Sequence, residues 1–380
     1  MPALAVPARV AHQGSHVRGL NPGSMKKLSE FLWPLIGLAA VVISGYFLYQ
    51  ELKTTSLSAV WAAIVAIPPH RIALAALSTL VAYAALAWYD RIALMHLGVK
   101  NISWFFVSVC SFTTYALSHN IGASVFSGAL VRYRAYTAKG LSAAQVAVLV
   151  ALCSFTFFLG TVLLGGFVLV VDPNLLSRLE GKLPGFLTDP KTALVVGIGL
   201  LAFVALYVVG SILHLRPLTI RSFKLEYPRP AIMGRQLIAA PLELLGAAGI
   251  LYFALPEAMN PGFIPVLAIF LASFSLALAS HAPGGLGVFE IVFITAMQIT
   301  DAAQKDAIIA AVIVFRIFYF WIPAVISVIV VLLYERSRLA SAIGGRAQVP
   351  ASVPDAPVVA PVSEHFDPHR IEERLEEKAT

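Results

Sequence analysis

The chain has 380 residues, of which 59% are hydrophobic and only 12% are Asp, Glu, Lys or Arg, about half the charge of an ordinary soluble domain. That length would hold about two or three soluble domains, but charge is nearly absent over several stretches long enough to cross a bilayer core of about 30 Å as helix, which excludes them. The net charge of +7 does not point to nucleic acid, because its Lys and Arg sit in short loops between apolar stretches, where they orient a membrane protein and meet anionic headgroups.

Residues 1–30 carry Pro, Gly and basic residues and read as a disordered cytoplasmic leader. The apolar stretch 31–49 follows Lys26 and Lys27, as the core of a signal peptide would, yet Gln50-Glu51-Leu52-Lys53 offers no small-residue cleavage site. It therefore reads as a retained first span. Further spans are predicted over 72–89, 143–171, 192–213, 236–256 (broken by Glu243 alone), 263–280 and 307–334 (interrupted by Arg316). Cys110 and Cys153 both lie in apolar stretches without metal-ligand spacing, so neither a disulfide nor a metal site is expected. After Tyr334 come a Pro/Val/Ala-rich linker and a short charged helix over 371–378, a cytoplasmic tail too short for a catalytic domain. The expected organisation is a leader (1–30), a membrane domain (31–334) and this tail (335–380).

Basic residues orient the spans. Residues 132–139 hold Arg132, Arg134 and Lys139 without an acid, and 214–235 hold Arg216, Arg221, Lys224, Arg229 and Arg235 against Glu226 alone, so both loops are expected in the cytoplasm. The loops 172–191, 255–262 and 300–306 lack that excess and belong outside. Residues 102–131 must then enter and return on the cytoplasmic side, and 263–299 on the outer side. The expected fold is an all-α polytopic membrane protein with about six full crossings plus two oppositely oriented re-entrant hairpins, about eight hydrophobic spans in all. Residues 111–122 also align without gaps on 273–284, sharing Ser-Phe at the start and Ser-His-x-x-Gly at the end. Such an inverted repeat with broken helices is the architecture of many secondary transporters.

The hairpin tips hold the candidate chemistry. The first runs through His119, Asn120 and Gly122 to Ser127, Gly128, Arg132 and Arg134. From Gly122 to Arg132 is only about 16 Å of helix, so the tip stops inside the membrane or Arg132 stays in a polar cavity. A helix starting at Gly-Ala-Ser would offer backbone N–H groups to a phosphate. Arg132 and Arg134 would either add bidentate contacts or anchor the helix end. The second tip, His281-Ala282-Pro283-Gly284-Gly285-Leu286-Gly287, precedes Glu290. Pro-Gly-Gly cannot continue a helix, and irregular backbone at membrane depth is tolerated only where protein buries it or water reaches it; a purely structural turn is the alternative. His119 and His281 read as hydrogen-bonded tip residues, since neither has a second metal ligand at helical spacing. Asp90 and Arg91 close the second span, and Glu243 and Arg316 either face a cavity or pair with each other. No Ser/His/Asp order, His-Glu-x-x-His or P-loop is present, so no catalytic residue, metal or cofactor is expected.

At Asn120-Ile121-Gly122, Ser127-Gly128-Ala129, Arg132-Tyr133-Arg134, Tyr136, Lys139-Gly140-Leu141 and Pro283-Gly284-Gly285-Leu286-Gly287-Val288-Phe289-Glu290, the chain resembles the transmembrane region of the lysylphosphatidylglycerol synthase/flippase family, across roughly residues 30–335. The resemblance implies the translocating half in stand-alone form, without the aminoacyl-transfer domain of full-length members. It would move a phospholipid, aminoacylated phosphatidylglycerol or a related polar lipid, across a bacterial inner membrane, with both termini in the cytoplasm. Arg132 and the Gly122 tip would then suit the phosphate, and Glu243 and Glu290 the amines. Two other readings stay open: a membrane-embedded enzyme or accessory subunit of lipid or cell-envelope glycan modification, and a membrane partner acting through its tail. A phospholipid is the expected partner and nucleic acid is not; self-association and a separately encoded lipid-modifying enzyme remain open.

Overall fold

Pro69, Pro190 and Pro230 each open a long helix, a position where the missing N–H has no intrahelical partner to lose. The computed structural model describes residues 57–121, 124–179, 185–213, 218–220, 223–225, 228–299 and 301–344. Over these the chain forms α1 (Leu57–Val65), α2 (Pro69–His96), α3 (Trp104–Ile121), α4 (Ser124–Thr137), α5 (Ala143–Val171), α6 (Pro190–Ile212), α7 (Pro230–Ala254), α8 (Phe263–Ala279), α9 (Val288–Ala296), α10 (Ala302–Arg316) and α11 (Ile322–Gly344). The expected first span 31–49, the leader and the tail beyond 344 lie outside the described residues, as do Gly122 and Ala123 at the first tip. Contacts divide the chain into two units, Met1–Val331 and Leu332–Thr380, and the packing and the site described below belong to the first.

Among the described residues, five helical segments are long and apolar enough to cross a membrane: α2, α5, α6, α7 and the run Ala302–Tyr334. The two expected hairpins are present as α3 with α4 and α8 with α9. Their returning arms, α4 with 14 residues and α9 with 9, span only about 21 Å and about 14 Å, too little to cross the hydrocarbon core. The first hairpin leaves from the end of α2 and returns to the start of α5. The second leaves from the far end of α7 and returns to the start of α10, so the two enter from opposite ends. Their tips meet: a Cβ on Gly284 would lie 3.7 Å from the carbonyl oxygen of His119. A feature not predicted from the sequence is a small antiparallel ribbon between α6 and α7, with β1 (Leu218–Ile220) paired to β2 (Phe223–Leu225) in the register Leu218 with Leu225.

Small residues let the spanning helices close on one another. A Cβ on Gly246 of α7 would lie 2.8 Å from the backbone nitrogen of Ala82 on α2, and one on Gly160 of α5 would lie 2.8 Å from Ala240 on α7. Arg71 of α2 closes the far end of α7, donating from Nε to Phe253 O (2.8 Å) and from Nη2 to Tyr252 O (2.9 Å) and Leu255 O (2.8 Å). It thus satisfies carbonyls that a helix end leaves without partners. The last spanning run is interrupted as well. Pro323 has no N–H for the carbonyl of Tyr319, four residues earlier, and Ile317–Trp321 widen into a π-turn. Tyr319 O accepts instead from the Tyr83 hydroxyl at 2.9 Å, and Phe320 O from Asn120 Nδ2 at 3.1 Å. The broken last helix is in this way tied to the first hairpin tip.

Candidate functional site

A cavity of about 320 Å³ lies where the tips meet, bounded by α2, α3, α4, α5, α7, α8, α9, the second tip and the π-turn. Its polar lining includes Ser118, His119, Arg132, Glu243 and His281, set among Tyr115, Phe157, Phe274, Phe289 and Phe320.

Two cations near the cavity are committed to carboxylates. Arg132 on α4 meets Asp90 on α2, with Nη2 2.6 Å from Oδ1 and Nε 3.2 Å from both oxygens. Asp90 is wholly buried and also accepts from the Tyr136 hydroxyl (2.9 Å) and the Cys153 thiol (3.4 Å). The Arg132 guanidinium lies 4.7 Å from the Tyr115 ring centre. Arg316, at the end of α10, pairs through Nε with Glu290 Oε1 of α9 and donates from Nη1 to Gly284 O at 2.9 Å. The other Glu290 oxygen accepts from Gly287 N at 2.8 Å, so one carboxylate caps α9 and holds the arginine. The pairing of Glu243 with Arg316, one of the sequence alternatives, is therefore corrected: Arg316 belongs to Glu290. A purely sequence-based reading could not place this, because both acids lie on neighbouring helices.

Among the described residues, Glu243 has no such cation. It is 1% exposed; Oε1 accepts from the Tyr319 hydroxyl at 2.5 Å, and Oε2 is buried without a hydrogen-bond partner among the described residues. His119 stacks on Tyr319 with ring centres 5.4 Å apart and 20° between planes, and its Nδ1 is likewise buried and unpartnered. A third such atom is Arg316 Nη2. A buried donor and a buried acceptor without partners are both costly, so a ligand bearing the complementary groups would recover free energy here.

The second tip needs its glycines. Gly284, Gly285 and Gly287 all have positive φ, and a Cβ on Gly285 would lie 2.6 Å from that of Ala277. His281 also has positive φ (55°), is exposed, and its Nδ1 lies 2.9 Å from Ala279 O. In the first hairpin, Asn120 Nδ2 bonds Ala116 O and Phe320 O. Ser127 is half-buried, and Gly128 packs on Thr114. Arg134 is exposed and does not line the cavity. Pro283 begins the tip turn, and Gly122 lies outside the described residues. Arg132 and Glu290 stand differently from their expected roles, since the first is spent on Asp90 and the second on Arg316 and Gly287.

Sequence reasoning missed Asp90 as a partner, reading it as the close of a span, although α2 continues to His96 and buries it. A charge in the last third of an apolar helix was the available signal. Tyr319, Tyr136 and Cys153 gave none, since an aromatic or a cysteine in a membrane helix is ordinarily packing.

Residues 35–327 match the family described as the lysylphosphatidylglycerol synthase TM region. An uncharacterized protein of Synechocystis, slr0712, is 29% identical over 299 residues, covering 78% of this chain and 90% of that one. The inner membrane protein YbhN of Escherichia coli is 30% identical over 258 residues, 67% of this chain and 77% of that one. A phosphatidylglycerol lysyltransferase of Staphylococcus haemolyticus is 27% identical over 93 residues, which cover 24% of this chain and 11% of the lysyltransferase. With a family match over most of its length, the chain belongs to the lysylphosphatidylglycerol synthase transmembrane-region family.

Proposed function

We propose that the chain translocates a phospholipid across a bacterial inner membrane, the headgroup passing through the cavity between the hairpin tips while the acyl chains stay in hydrocarbon. The observation that carries this reading is the pairing pattern around the cavity. Arg132 and Glu290 are each neutralised, whereas Glu243 Oε2 offers an unused acceptor, and Arg316, whose Nη1 bonds Gly284 O of the cavity lining, keeps an unused donor in Nη2. A headgroup with an anionic phosphate and a cationic amine complements both, and aminoacylated phosphatidylglycerol is one such lipid. The phosphate role thus passes from Arg132 to Arg316, and the amine role rests on Glu243. Hairpins entering from opposite ends give each leaflet an approach to the same cavity, as in transporters built from inverted repeats.

The test is reconstitution of the full chain into vesicles containing headgroup-labelled lipid, read with a leaflet-specific quencher. Protein-containing vesicles should lose nearly all signal, and empty ones only the outer-leaflet share. Equal protection in both would overturn the reading. The lysyltransferase relatives favour a second reading, an accessory of a lipid-modifying enzyme. It requires that lipid stay in its leaflet until such an enzyme is added.

A further inference from the structure

A carboxylate that is 1% exposed, holds one neutral donor and meets no Lys or Arg among the described residues is an expensive group to keep at membrane depth. Two species remove that cost: a proton, or a cation brought by cargo. Among the described residues, the groups facing Glu243 supply neither. From α2 come Tyr83, whose hydroxyl is spent on Tyr319 O, and Tyr89, spent on Ala240 O. From α3 comes His119, stacked on Tyr319, and from α4 comes Arg132, bound to Asp90. From α5 comes Cys153, which donates to Asp90; at the second tip His281 is turned to its own helix end, and Arg316 of α10 is held by Glu290. Glu243, with Oε2 unpartnered, lines the same cavity through which the headgroup is proposed to pass.

We infer that Glu243 is a proton-binding site, and that one proton and the cationic part of a headgroup compete for its carboxylate, so that lipid movement is coupled to the pH difference across the membrane. This deepens the proposed function and rests on it for the cargo, but not for the proton. In the exchange, a cation entering from one side displaces the proton from Oε2 into the water on that side, and when the cation leaves to the other side a proton from there takes its place. Charge at the site stays balanced and no covalent bond other than O–H changes. Tyr319 keeps its hydroxyl directed at Oε1 throughout, a positioning residue that leaves Oε2 as the exchanging atom.

Two measurements on the full chain in vesicles test this. The first follows protons alone: infrared difference spectra recorded as pH is stepped should show a protonated-carboxyl band that Glu243→Gln abolishes and Glu243→Asp retains at a shifted position. Identical spectra for the wild-type protein and Glu243→Gln would overturn the proposal. The second follows lysyl-phosphatidylglycerol with an impermeant amine-reactive dye. With one proton exchanged per lipid, a gradient of one pH unit should shift the steady-state leaflet ratio by up to about tenfold, and the shift should vanish in Glu243→Gln. A leaflet ratio indifferent to the gradient in the wild-type protein would overturn the coupling. A titrating band with no lipid movement would instead sustain the proton site and defeat the translocation reading.

Discussion

Replacing Asp90 by Asn asks whether Arg132 is a structural cation or a headgroup ligand. The substitution keeps an oxygen for the Tyr136 hydroxyl but removes the charge that Arg132 meets at 2.6 Å. Arg132 is 4% exposed and Asp90 not at all, so no solvent replaces the lost partner. Leaving one charge of a buried pair uncompensated costs about 3–5 kcal/mol. Arg132→Gln should cost a similar amount, because Asp90 would keep only the Tyr136 hydroxyl and the Cys153 thiol. The two together should cost about 1–2 kcal/mol rather than the sum of about 6–10, since the double variant is a neutral, hydrogen-bonded pair. Equilibrium unfolding in mixed micelles measures all four corners of this cycle. A cost below about 1 kcal/mol for Asp90→Asn, with additive effects in the double variant, would refute the reasoning. Arg132 would then be reached by water or headgroups and would return as a candidate phosphate ligand.

The second tip makes a backbone prediction. Gly285→Ala meets both a positive φ of 61° and a Cβ placed 2.6 Å from that of Ala277. It should destabilise by about 2–5 kcal/mol from strain and overpacking together, and adding Ala277→Gly should return the overpacking part alone, again by unfolding in micelles. Orientation is checked by labelling: a cysteine at exposed position 139 should react only from the cytoplasm, and one at position 257, where the native Glu257 side chain is 83% exposed, only from outside. Native Cys110 and Cys153 are buried and should stay silent. Reaction of both introduced cysteines from one face would break the hairpin topology.

Much of the fold was legible because it depends on properties summed over many residues. Bilayer thickness sets a length for each span, and the basic loops set its direction, so the same-sided returns at 102–131 and 263–299 followed from charge alone. The repeated Ser-His-x-x-Gly located both tips, and the structure places one against the other. What escaped was set by single atoms. The π-turn follows from Pro323, yet a proline in a membrane helix permits a kink, a wide turn or a compensating donor, and only the arrival of Tyr83 and Asn120 at the freed carbonyls selects among them. The β1–β2 ribbon was hidden by the positive charge of its loop, which read simply as a topology signal.

The choice of ion-pair partner shows why the site was less legible than the fold. A helix turns about 100° per residue, so naming the partner of Arg316 requires the rotational phase and depth of α7, α9 and α10 together, while hydropathy fixes each depth only to within about a turn. Glu290 wins through local chemistry: the positive-φ glycines 284, 285 and 287 turn the chain so that the carboxylate caps its own helix at Gly287 N while Gly284 O faces the same guanidinium. Arg316 therefore receives two acceptors from one turn, an arrangement that Glu243, inside α7 and away from any glycine turn, does not match. The consequence reaches the chemistry directly. Because the glycine turn captures the arginine, Glu243 has no cation among the described residues at the cavity wall, and the group that sequence alone leaves between a salt bridge and a cavity-facing acid is the one to which the cationic cargo and the proton proposed above are assigned.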